Sequence, residues 1–239
     1  MSADLKRKYD AAFYANQKEG SRASAEIVLA AVLPLIGGAR SAIDIGCGAG
    51  GWLKTFAEMT PGADIYGVDH PAAPKSEMFI DPAQFEGRDL SAPFDLGRKF
   101  DLAMSLEVAE HISPEKADVF LDNLARHADV VLFSAAIPRQ GGTGHVNEQW
   151  PDYWAAKMAA RGFALHDVVR PLIWNSDAAA FWYKQNALLF VRGEKRLAVD
   201  GLEDWKGRAV VHPGGWMKKT EPLQSQLARV LSGRKPANA

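Results

Sequence analysis

Short aliphatic and β-branched runs recur along this chain with helix-period segments between them, and this alternation restricts the fold more than any other feature. A strand whose successor comes only after a helical crossover pairs with it in parallel, so the pattern specifies a layered α/β domain. The runs fall at residues 41–45, 64–69, 100–105 and 130–134. Helical patterns occupy 51–58 and 114–127, the second opened by Ser113 as N-cap and Pro114 at the first helical position. An apolar helix over 24–36, with Pro34 near its end, precedes the first strand. After residue 134, a turn rich in glycine (Gly141, Gly142, Gly144) leads into a helix over 150–161 that Gly162 closes. Strands are expected at 165–170 and 186–191, on either side of an alanine-rich aromatic stretch, 178–184. The last 40 or so residues, with Pro213-Gly214-Gly215 and Lys218-Lys219, lose the rhythm and read as an appendage.

Composition narrows the function classes. With 47% apolar and 24% charged residues in 239, the chain is globular. A net charge of −1 argues against a surface built to hold a nucleic-acid backbone or an anionic membrane. The charge is uneven, with nine Lys/Arg against five Asp/Glu from Glu194 on. A single cysteine, Cys47, excludes an internal disulfide and any structural zinc site that needs two cysteine ligands. The N-terminal stretch lacks an apolar core of signal-peptide length and no later window approaches a membrane span, so a cytoplasmic location is expected.

The first run continues as Ala42-Ile43-Asp44-Ile45-Gly46-Cys47-Gly48-Ala49-Gly50-Gly51, a strand that ends in a glycine turn and feeds a helix. Glycines there let the backbone approach a ligand, and the helix N-terminus offers N–H groups to an anion. Asp69 stands about twenty residues on, at the C-terminal end of the second strand, where a carboxylate meets a ribose diol. These residues resemble the class I S-adenosylmethionine-dependent methyltransferases, through the D-x-G-x-G-x-G turn, the acid after strand two, Asp89-Leu90-Ser91, and the stretch from Phe100 to Val108.

The resemblance implies a Rossmann-like, doubly wound α/β fold, with a mostly parallel seven-stranded sheet and helices on both faces. It also implies S-adenosylmethionine as cofactor, held by Asp44, Gly46, Gly48, Gly50, Asp69, Asp89, Leu90 and Leu106, with Tyr14 as an aromatic cover. The expected organisation is a helical cover over 1–36, the methyltransferase domain over 37–193, and an appendage over 194–239 with a disordered tip.

Glu107-Val108-Ala109-Glu110-His111 follows strand four on the edge where a transferred methyl group meets its acceptor. On a helical turn Glu107, Glu110 and His111 face one point, and His145 returns to the same edge after strand five. Glu107, Glu110, His111 and His145 thus form a ligand set suited to Mg²⁺, Mn²⁺ or Zn²⁺. This E-x-x-E-H with a later histidine is similar to that of methyltransferases acting on the terminal ribose of small RNAs and of ubiquinone-pathway O-methyltransferases. Without a metal, His111 or His145 is the expected general base, with Glu107 beside them in the catalytic set. Trp150, Tyr153, Trp154, Trp174, Phe181, Trp182 and Tyr183 crowd the acceptor half, where aromatic faces stack on sugars and on rings.

The leading expectation is an O-methyltransferase for a sugar, glycan or other small molecule. Alternatives are an N-methyltransferase, a ribose 2′-O-methyltransferase on RNA, a non-catalytic cofactor-binding module, and a nicotinamide dehydrogenase. Nucleic acid is not the expected partner, no membrane span is expected, and homodimerisation is an open option.

Overall fold

The computed structural model describes residues 11–73, 77–193 and 197–231. Helix α1 (Ala11–Leu35) leads into β1 (Ser41–Ile45), α2 (Gly51–Met59), β2 (Asp64–Asp69), a short β3 (Phe85–Gly87) and β4 (Leu102–Leu106). There follow α3 (Ala117–His127), β5 (Val130–Ser134), α4 (Pro151–Ala159), β6 (Phe163–His166), α5 (Val169–Ile173), α6 (Phe181–Asn186), β7 (Leu188–Arg192) and α7 (Pro213–Leu231). The seven strands form one sheet in the order β3-β2-β1-β4-β5-β7-β6, parallel except for β7, which runs antiparallel to both neighbours. It is the doubly wound, mostly parallel sheet expected from the sequence.

Side-chain alternation along the strands builds a core on each face. Ala42, Leu102, Met104, Leu132 and Leu189 pack on the face covered by α1, α2 and α5, while Ile43, Ile45, Ala103, Val131, Phe133 and Phe190 pack under α3 and α4. Each fully buried aliphatic or aromatic side chain among them contributes roughly 1.5–3 kcal/mol. Among the described residues no helix is long and apolar enough to cross a membrane.

One expectation needs correction. The strand expected at 165–170 is β6, which stops at His166 and gives way to α5. Alternating Leu165, Asp167 and Val169 imitate a strand, but Asp167 and Arg170 are both fully buried and pair across one helical turn, with the Asp167 carboxylate also accepting from the Gly207 N–H (2.8 Å). A buried pair three residues apart meets on a helical turn, whereas on a strand the two side chains would point to opposite faces. The stretch before residue 92, which lacks a strand pattern, contributes β3, three residues whose register is set by pairing with β2. The rhythmless C-terminal region contains a 19-residue helix, α7. The expected tip lies outside the described residues.

Candidate active site

All the parallel strands end on one edge, and a cleft of 1530 Å³ opens there. Its first half is built by the turn after β1. Gly46 (φ 96°), Gly48 (φ 54°) and Gly50 (φ 82°) occupy the left-handed region, and a Cβ at Gly46 would overlap the Val108 side chain. The turn is tied across the sheet by Gly46 N–H to the Val68 carbonyl (2.7 Å), and the Ser105 hydroxyl donates to the Ile45 carbonyl (2.8 Å).

Asp69 faces this turn from the end of β2. One carboxylate oxygen accepts from the Gly48 N–H (2.6 Å) and the other from the His70 N–H (2.5 Å). Burial raises its pKa, and those two N–H groups offset part of the rise. Further round the cleft, Asp89 accepts from the Ser91 N–H (2.9 Å) and hydroxyl (2.6 Å), which hold its pKa below the usual range. This loop is pinned from α3, where Asn123 accepts from the Phe94 N–H (3.0 Å) and Arg126 donates to the Phe94 carbonyl (2.6 Å).

Gly46, Gly48, Asp69, Asp89, Leu90 and Leu106 line the cleft. Asp44 and Gly50 do not. Asp44 sits buried behind the turn, its pKa pushed well up by burial and by the charge of Asp69. Tyr14 has its side chain outside the described residues, although Ser21 of α1 lines the cleft.

The second half begins at Glu107, whose φ of 57° is left-handed and costs conformational energy in a non-glycine residue. It is held by its N–H, which donates to both the carbonyl and the hydroxyl of Ser134 (3.0 Å each). Its carboxylate accepts from Gln140 (2.8 Å) and Asn186 (3.0 Å). Burial raises its pKa against these bonds. After this kink the chain makes a 3-10 turn, Ala109–His111, rather than a regular helix.

The turn points Glu110 inward. Its carboxylate is fully buried and neither oxygen makes a well-formed hydrogen bond; burial and the neighbouring Glu107 charge push its pKa well up against a weaker pull from the Glu110 and Ala136 N–H groups. The Glu110 carbonyl accepts from Val146 and Asn147 N–H (2.8 and 3.0 Å), which brings His145 alongside. His145 Nδ1 meets Glu148 Oε1 at 2.8 Å, its Nε2 stands 4.0 Å from Glu110 Oε1, and the His111 and His145 rings meet edge to face at 4.9 Å. Ligand atoms of Glu110, His111 and His145 lie within 4.8 Å of one another.

Three of the four expected ligands therefore converge, and the carboxylate of Glu107 is turned instead into the amide pair. Burial opposes ionisation of Glu148, yet the bonds from His145 and from the Gly141 and Arg139 N–H groups hold its pKa below the usual range. Tyr183, edge-on to Trp52 at 5.1 Å, is pushed up to about 12 by burial and the charge of Glu107, and stays protonated at neutral pH.

Sequence reasoning missed Glu148, Gln140 and Asn186. Glu148 had a local signal, its place three residues after His145 in the same turn. Gln140 and Asn186 had none, since a fold contact 46 residues long brings them together at 2.9 Å. Of the aromatics, Phe181, Trp182 and Tyr183 line the cleft; Trp154 is core, and Trp174 packs on Trp205 and His212.

Residues 9–165 match the family described as methyltransferase domain. The chain belongs to the class I S-adenosylmethionine-dependent methyltransferase family. A ubiquinone biosynthesis O-methyltransferase of Methylobacterium nodulans is 32% identical over 109 residues, which is 42% of this chain and 42% of that protein, so the chain spans less than half the relative's length. An O-methyltransferase family protein from Burkholderia thailandensis has a similar structure, with a TM-score of 0.58 at 14% identity, over 80% of this chain and 61% of the other. Magnesium protoporphyrin IX methyltransferase from Synechocystis, solved with bound S-adenosylmethionine, gives 0.52 at 22% identity, over 79% and 89%. At these identities the two structures share the fold with this methyltransferase-family chain.

Proposed function

We propose that this protein is an S-adenosylmethionine-dependent O-methyltransferase for a hydroxyl of a sugar, glycan or other small molecule. The cofactor half fits the donor: a glycine turn with no room for a Cβ at Gly46, and a carboxylate fixed by two backbone N–H groups at the end of β2. Asp69 would hold the ribose diol, Asp89 and Leu90 the adenine, and the turn with Asp44 the methionine part. S-adenosylmethionine supplies an electrophilic methyl group on sulfonium sulfur. Catalysis by the chain then consists of aligning the acceptor and handling its proton.

The observation that carries the O-methyl reading is Glu110, a fully buried carboxylate with no well-formed hydrogen bond, next to two histidines at the edge where the methyl group would be accepted. Ionising Glu110 in this buried place is costly, and a divalent ion held by Glu110, His111 and His145 would offset that cost. Such an ion lowers the pKa of a coordinated hydroxyl. Glu148 orients His145 through Nδ1, which directs Nε2 towards Glu110, as carboxylates behind metal-ligating histidines do. Glu107, clamped by Gln140 and Asn186, positions the turn that carries these groups. In the absence of an ion, the same orientation lets Nε2 of His145 accept the hydroxyl proton.

The test is transfer of a labelled methyl group from S-adenosylmethionine to a panel of hydroxyl and amine acceptors, with and without chelator. Ether products lost on chelation, and restored by Mn²⁺ or Zn²⁺, are expected. Label found only in amines, insensitive to chelator, would overturn the reading and favour N-methyl transfer.

A further inference from the structure

The acceptor wall of the cleft carries cations that no acid among the described residues neutralises. Arg139, Lys218 and Lys219 line it, and among the described residues none of the three has an ion-pair partner. The acids of the cleft are otherwise engaged: Asp69 by two N–H groups, Asp89 by Ser91, Glu107 by two amides, while Glu110 faces the histidines. Lys219 is placed close to the chemistry. A Cβ on Gly141 would stand 2.6 Å from its Nζ, and a Cβ on the next residue, Gly142, would overlap the His145 imidazole. Adjacent residues of one turn thus touch an ammonium and the ring of the Glu110, His111 and His145 cluster. Arg139 is set in the same turn at a left-handed φ of 69°, its N–H donating to Glu148 (2.7 Å).

Beside these cations stand aromatic faces. Lys218 Nζ lies 5.9 Å from the ring centroids of both Phe181 and Trp182, and Trp216, 62% exposed, lines the same wall. A large exposed indole together with unpaired cations on a concave wall is a surface that gains by covering a ring and an anion at once.

We propose that this wall is the acceptor subsite for a ring-bearing molecule with an anionic substituent, a carboxylate or phosphate: Lys218, Lys219 and Arg139 take the anion, and Trp216, Phe181 and Trp182 take the ring. It rests on the O-methyl reading only for placing the acceptor here. The ammonium beside Gly141 would hold the anion one residue along the turn from the His145 imidazole beside Gly142, where the hydroxyl to be methylated would lie.

The experiment is calorimetric binding of phenyl phosphate, benzoate and neutral benzyl alcohol to the full chain at low salt. Both anionic probes are expected to bind at least tenfold more tightly than benzyl alcohol, a gap that closes in 0.5 M salt and in a Lys218→Gln/Lys219→Gln variant. Trp216→Ala should weaken all three probes alike. Equal binding of charged and neutral probes, or a gap that persists in the double variant with its thermal midpoint intact, overturns the subsite. Because these probes need no methyl transfer, a chain that binds them selectively but methylates no hydroxyl keeps the subsite and loses the O-methyl reading. A chain that methylates hydroxyls without the binding gap does the reverse.

Discussion

Asp69 and Glu110 are carboxylates on the same sheet edge, one half-buried and the other fully buried, and the fold treats them in opposite ways. Asp69 receives one backbone N–H on each oxygen; Glu110 makes no well-formed hydrogen bond and is placed against two imidazoles. The first keeps lone pairs with which it would accept hydroxyls in the proposed role. The second ionises only at a cost that a bound cation would offset. On the proposed reading, the half that would hold the cofactor is complete in the protein itself, whereas the half that would hold the acceptor would be completed by what it binds.

The largest effect should come from crowding the completed half. Gly46→Ala puts a Cβ at φ 96° into the branched side chain of Val108, which cannot swing away without moving the chain before Glu107. Strain and overlap together should cost about 3 kcal/mol of stability. Chemical denaturation reads it, and an unchanged midpoint would mean that the turn is looser than the comparison requires. Next is Asp69→Ala, which should weaken S-adenosylhomocysteine by about 2 kcal/mol, roughly thirtyfold, by removing a charged acceptor for the ribose. Equal affinity by calorimetry would break the assignment of this half to the cofactor.

The two halves also differ in how far the sequence discloses them. Gly46, Gly48 and Asp69 act through a strand, a turn and one crossover, so their spacing carries the information, and the sheet follows from the same alternation. The acceptor half draws on residues 107–111, 139–149, 181–186 and 211–223, brought together by tertiary packing. The E-x-x-E-H spacing placed Glu110, His111 and His145 correctly together, but a regular helical turn was the wrong geometry. The left-handed Glu107 redirects its own carboxylate to Gln140 and Asn186, a conformation no periodicity encodes. In the same way, alternation at 165–170 could not reveal that Asp167 and Arg170 are partners.

A smaller effect sharpens the other side of the comparison. If Glu148 serves by orienting His145, Glu148→Gln should leave S-adenosylhomocysteine affinity intact and weaken Mn²⁺ binding about tenfold, since an amide holds the imidazole less firmly and less basic. Titration of chelator-treated protein measures it. Undiminished Mn²⁺ affinity would leave Glu148 as a brace for the Gly141 turn alone.

The smallest expected effect concerns Asp44, the one acid of the cofactor half that the turn does not line up with the cleft. Burial and the charge of Asp69 raise its folded-state pKa well above the unfolded value, which is about 3.9. The proton is therefore bound more tightly in the folded protein. Its contribution to stability is complete below the unfolded pKa and is lost as pH rises through the raised folded one. Asp44→Asn, which cannot ionise, escapes that loss. Cofactor-free Asp44→Asn should match the parent near pH 4 and exceed it progressively towards pH 8, by roughly 1 kcal/mol or about 3 °C in Tm. S-adenosylmethionine, whose ammonium favours the ionised acid if Asp44 serves the methionine part, should shrink or reverse this advantage at pH 8. Parallel pH profiles for the two proteins would show that Asp44 is solvated or paired, and would make the cofactor half as free of uncompensated charge as Asp69 alone suggests.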